Sequence, residues 1–176
     1  MASNESADRS YPENFAGAVA RVLRDEGGYS SNPADSGGPT KFGISAREYP
    51  ALDIAALTRD DAIAIYYRDW WLRFGFGRLP EPIAAKSFDL AINIGAAHAI
   101  GCVQRALRAC GRRVSEDGLL GDETVSAAAA AEPFALLAAL RSEAAGYYRT
   151  TSALSRGRRR NGDREFLDGW LNRAYE

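Results

Sequence analysis

Apolar residues recur at helical spacing along most of this chain. Phe15, Val19, Val22 and Leu23 mark one face of a helix predicted from Asn14, which serves as its cap, to about Asp25. Gly27 and Gly28 are suited to end it. From about residue 53 onward the pattern is helical throughout. Thr58-Arg59-Asp60-Asp61 opens a helix whose face, Ile63, Tyr66, Tyr67, Trp70, Trp71 and Phe74, keeps a regular three–four spacing. Pro80 and Pro82 punctuate, and a helix over about 82–93 carries Ile83, Phe88, Ala91 and Ile92. The next, over about 98–110, carries Ala99, Cys102, Val103, Ala106, Leu107 and Cys110. Helices over about 122–131, capped by Asp117 or Asp122, and 133–149 follow. The last spans about 163–175 and carries Leu167, Trp170, Leu171 and Ala174.

Residues 28–45 break this rhythm. The run from Tyr29 to Thr40 is turn chemistry almost throughout, rich in Ser, Asn, Pro, Asp and Gly. Residues 41–45, Lys-Phe-Gly-Ile-Ser, can supply a short strand. One small β-hairpin or three-stranded ribbon is expected near residues 28–45, and nowhere else. The fold class is therefore mainly α, a helical bundle with one small β element. No period of 20–50 residues repeats, which removes solenoids. The expected organisation is a flexible N-terminal arm over 1–12, a first lobe over 13–80 and a helical second lobe over 81–176. No linker divides the lobes, so they are expected to form one compact domain.

Composition changes this picture little. With 176 residues, 46% hydrophobic and 26% charged, the chain suits a globular protein with a sizeable core. A formal net charge of -1 leaves no basic field to gather nucleic acid. The opening MASNESADRS has no apolar stretch, so synthesis without a signal peptide is expected. No apolar run approaches the roughly 18 residues a membrane span requires, so no stable membrane insertion is expected. Cys102 and Cys110 would lie about 12 Å apart along one helix, too far to bridge.

Glu26 carries the most chemistry. The predicted helix places it in the last turn, where carbonyl dipoles concentrate negative charge, with Asp25 beside it. Both effects disfavour the ionised carboxylate and raise its pKa. A glycosidase needs such a group as proton donor near neutral pH. A solvated helix-end acid is the alternative. Gly27 and Gly28 would let a ligand approach the backbone. Glycosidic cleavage commonly uses a second carboxylate or a held water. A hairpin folding back over the helix end could bring Asp35 and Thr40 to Glu26, Asp35 holding a water and the Thr40 hydroxyl bonding it. Equally, Asp35 can stabilise an Asx-turn and Thr40 can be a strand-edge hydroxyl.

The run EGGYSSNPADSGGPTKFGIS, residues 26–45, resembles the signature of glycoside hydrolase family 108, the phage-type and secretion-associated N-acetylmuramidases. The resemblance implies an α+β lysozyme-like fold and hydrolysis of the β-1,4 bond between N-acetylmuramic acid and N-acetylglucosamine. It makes Glu26 the catalytic acid, maps Asp35 and Thr40 onto its partners, and assigns the first lobe to catalysis. Tyr29 and Gly38 fall in the same run and are expected at the substrate. The segment FDLAINIG, residues 88–95, resembles the family's cleft-lining helix end. Asn93 there can offer an amide to a sugar, or cap its helix. VQRAL at 103–107 and DGLLGDET at 117–124 resemble the peptidoglycan-binding module that accompanies these enzymes, and residues 166–173 resemble the family's closing helix. The expected partner is bacterial peptidoglycan, with no cofactor and no metal, and the chain is expected to be a monomer. The expected setting is a phage or prophage endolysin, made in the host cytoplasm and released by a holin to the periplasm and cell wall. A muramidase serving a secretion system is the other setting implied.

Other constellations weigh less. His98 and Cys102 sit four apart on one helix, the spacing of a Cys-His pair, but Cys102 falls on the apolar stripe and reads as core. One histidine and two cysteines eight apart do not make a zinc shell. One of Trp70 and Trp71 is expected to reach the cleft. Arg156, Arg158, Arg159 and Arg160 form a basic loop, either solvated or drawn to anionic wall polymers.

Overall fold

The computed structural model describes residues 10–25, 38–155 and 163–175. The chain divides into two compact units, Met1–Tyr67 and Arg68–Glu176. Among the described residues there are seven α-helices and one two-stranded sheet, so the fold is mainly α.

In the first unit, α1 spans Glu13–Asp25. It begins one residue earlier than expected. The Pro12 carbonyl accepts from the Ala16 amide at 2.9 Å, so Pro12 rather than Asn14 stands at the cap. Asn14 lies within the first turn, its Oδ1 accepting from the Phe15 amide. Phe15, Ala18, Val19 and Val22 are buried, and Leu23 is half-buried. The Phe15 ring packs against Tyr11 at 5.3 Å and Tyr67 at 4.8 Å. Tyr11, expected in a flexible arm, is therefore packed by its aromatic neighbours; residues 1–9 lie outside the described residues. Strands β1 (Thr40–Lys41) and β2 (Ile44–Ser45) pair antiparallel, Thr40 opposite Ser45 and Lys41 opposite Ile44. Residues 41–45 thus hold a turn rather than a single strand.

α2 spans Arg59–Ile65 and starts with a capping box. The Thr58 hydroxyl accepts from the Asp61 amide, and the Asp61 carboxylate accepts from the Thr58 amide. Such a cap contributes about 1 kcal/mol. The chain then continues as a π-helix over Tyr66–Leu72, not as the regular α-helix expected. The wider winding rotates the inward face. Ala62, Ile65, Tyr66 and Trp71 are buried, the last two five residues apart, while Ile63, Tyr67, Trp70 and Phe74 are half-buried.

In the second unit, a 3₁₀ turn over Phe76–Arg78 leads to α3, Ile83–Ile94. Every residue of α3 from Ile83 to Ala91 is buried, so α3 is the central element. It packs on α4 (Ala96–Ala109), α4 packs on α6 (Pro133–Ser155), and α6 packs on α7 (Asp163–Tyr175). α5, Asp122–Ala129, is capped by the Gly121 backbone with no side-chain bond, not by Asp117 or Asp122. Both aspartates have other partners: Asp122 pairs with Arg78, and Asp117 accepts from the Leu119 amide and the Gln104 side chain.

Candidate active site

Three of the expected site residues, Glu26, Tyr29 and Asp35, lie outside the described residues, as does the basic loop Arg156, Arg158, Arg159 and Arg160. α1 is described as far as Asp25, the residue before Glu26 in the sequence. Thr40 and Gly38 are described and belong together on the hairpin.

Alternation fixes which way that hairpin faces. Ile44 is 2% exposed and enters the core of its unit. Lys41, its cross-strand partner, shares that face of the ribbon, and Thr40 and Ser45 take the other. Thr40 is half-buried, and its hydroxyl donates a long 3.4 Å bond to the Gly38 carbonyl. The Pro39 carbonyl closes the ladder, accepting from the Ala46 amide at 2.9 Å. The loop joining the strands is Phe42-Gly43, with φ of 53° and 77°. Two positive φ values define a type I′ turn, which Asn-Gly usually supplies. A phenylalanine in the left-handed region costs about 1–3 kcal/mol and persists only under tertiary constraint. Here the Tyr66 hydroxyl donates to the Phe42 carbonyl at 2.9 Å. Lys41 Nζ donates to the Ala55 carbonyl at 2.8 Å and lies 5.7 Å from the Phe42 ring centroid.

Asn93 belongs to the second unit. It is exposed, and its Nδ2 donates back to the Asp89 carbonyl at 2.8 Å, one turn earlier in α3. The two tryptophans separate clearly. Trp71 is buried, edge-on to Phe88 at 5.4 Å, with its indole against Gly77. Trp70 is half-buried and neighbours Phe74, so it is the more accessible of the two. His98 is exposed, 5.2 Å from the Tyr147 ring. Cys102 is fully buried, and burial pushes its thiol pKa up although Arg105 lies against it. A thiol so held is a poor nucleophile. No group of His, Cys, Asp and Glu that could hold a metal occurs among the described residues.

Sequence reasoning missed two polar networks of the second unit. In one, buried Lys86 donates to the Arg173 carbonyl and lies 3.7 Å from Asp89, whose other oxygen accepts from the Arg173 guanidinium at 3.1 Å. Nearby, burial and then the Asp89 charge push the Tyr148 phenol up to about 12. In the other, buried Gln104 binds the 117–119 loop at both ends of its amide. Its Oε1 accepts from the Asp117 and Gly118 amides, while Nε2 donates to Asp117 Oδ1, the Leu119 carbonyl and Thr124 Oγ1. Gly118 adopts φ of 70°, and a Cβ there would stand 3.0 Å from the Ala97 carbonyl, so the loop closes on α4 only through a glycine.

The fold is mainly α and lysozyme-like. The glycosyl hydrolase 108 family model matches residues 19–95, and the model for a predicted peptidoglycan domain matches residues 98–175. The first part of the chain thus resembles the glycosyl hydrolase 108 family and the second part that peptidoglycan domain family. These matches support a glycoside hydrolase with peptidoglycan as its partner. The chain is similar to a solved protein titled "Structure of Brucella abortus SagA", at 26% identity and a TM-score of 0.67. The similarity covers 91% of this chain and 92% of that one. No curated protein matches. Among the described residues, no helix is long and apolar enough to cross a membrane.

Proposed function

We propose that the protein is a muramidase that hydrolyses the β-1,4 bond between N-acetylmuramic acid and N-acetylglucosamine. Glu26 gives its proton to the leaving glycosidic oxygen. A water held by Asp35 and the Thr40 hydroxyl adds to the sugar carbon, losing its proton to Asp35. Tyr29, Gly38 and Asn93 contact the saccharide. Residues 13–80 form the catalytic lobe, and residues 81–176 hold the wall. The observation that carries this reading is that the glycosyl hydrolase 108 match encloses Glu26, Asp35 and Thr40 in one run. The place of Thr40 on the hairpin face opposite Ile44, half-buried, supports it. The proposal extends to a phage or prophage endolysin, for which host lysis should require co-expression of a pore-forming holin.

The test is Glu26→Gln. A general acid contributes about 10²–10⁴-fold, so lysis of purified peptidoglycan should fall by at least about 100-fold with unchanged circular dichroism. Retained activity would remove the proposal. Asp35→Ala separates the rival chemistry: a lytic transglycosylase needs one acid only and would keep full activity.

A further inference from the structure

The sequence pattern reads Tyr66 as one more apolar residue of a helix face. Its ring is 2% exposed, as that reading requires. A phenylalanine would fill the same space, so the hydroxyl needs its own explanation. It donates at 2.9 Å to the carbonyl of Phe42, 24 residues away in sequence. Phe42 is the one described non-glycine residue with positive φ, and it sits at the tip of the hairpin that carries Thr40. The rest of the hairpin is held separately, by Ile44 in the core and by Lys41 on the Ala55 carbonyl. The tip has a conformation that its own residue disfavours, so it depends on an outside tether. Thr40 lies two residues before that tip, and any relaxation of the turn tilts its strand.

We propose that Tyr66 is a positioning residue for the reaction: its buried phenol pins the Phe42-Gly43 turn and thereby aims the Thr40 hydroxyl. This rests on the reading that Thr40 holds the attacking water. Tyr66 touches no substrate, so it acts on the turnover step and not on binding.

The experiment is a set of variants assayed on purified peptidoglycan, with folding checked by circular dichroism. Tyr66→Phe should lower kcat about three- to tenfold, the equivalent of one hydrogen bond, with KM unchanged. Phe42→Asn gives the turn a residue that accepts positive φ without strain. Added to Tyr66→Phe, it should restore most of the lost kcat. In a Thr40→Val background, Tyr66→Phe should cost nothing further. Wild-type kcat in Tyr66→Phe beside an impaired Thr40→Val overturns the proposal alone. Additive losses, or no recovery with Phe42→Asn, also overturn it. Full activity in Thr40→Val overturns the reading beneath it.

Discussion

Replacing Gln104 by leucine keeps the side-chain volume roughly constant and removes both ends of its amide. Gln104 is 1% exposed, so water does not substitute for it. Two backbone donors lose their acceptor: Asp117 at 3.1 Å and Gly118 at 2.9 Å. The Leu119 carbonyl and the Thr124 hydroxyl lose a donor. Each lost bond costs about 1 kcal/mol net, and more where the orphaned group stays dry. Asp117 and Leu119 are exposed and can rebind water, whereas Thr124 is buried and Gly118 half-buried. The sum is about 2–4 kcal/mol, which lowers the melting midpoint of a chain this size by about 5–15 °C. Urea unfolding gives the free energy, and amide hydrogen exchange gives its location. Exchange should accelerate at Asp117 and Gly118 and remain slow in the middle of α3. A loss below about 0.5 kcal/mol, or unchanged protection at those two amides, would refute the claim that Gln104 holds the loop.

Two further outcomes follow from the second unit. Asp89→Ala leaves the 4%-exposed Lys86 ammonium without its carboxylate, and should cost about 3–5 kcal/mol in urea unfolding. Asp117 is held below the ordinary aspartate range, first by the Leu119 amide and then by Gln104. Its folded value lies below its unfolded one, so its contribution is complete above the unfolded value of about 3.9 and is lost as pH falls through the folded value. Asp117→Asn should flatten that acid limb of the stability curve, and an unchanged limb would contradict the assignment.

α4 was the most legible helix because its apolar spacing is nearly undisturbed, whereas on α7 the expected face includes Trp170, which is 37% exposed. Ala99, Cys102, Val103, Ala106 and Leu107 are all buried as the pattern requires. The face after Thr58 was not, because apolar spacing alone does not reveal that the ladder widens to π winding at Tyr66. Residues 41–45 hid their turn because Phe-Gly lacks the Asn-Gly signal, and the Tyr66 bond that stabilises it comes from 24 residues away. The same distance problem hid the pairing of Asp89 with Arg173, 84 residues apart. Asn93 was open between a sugar contact and a cap, and its amide is turned back on its own helix at Asp89. Glu26 and Asp35 rest on the motif alone, because a turn-rich run has no periodicity from which to read distances.

The central claim is hydrolysis of the glycan chain with Glu26 as acid, and the most direct measurement is the mass of the fragments. Purified peptidoglycan digested by the wild-type chain should release muropeptides ending in reducing N-acetylmuramic acid, each one water heavier than its anhydro form. The Glu26→Gln chain should release none. Fragments ending in 1,6-anhydro-N-acetylmuramic acid, or the same reducing ends from the Glu26→Gln chain, would contradict the account.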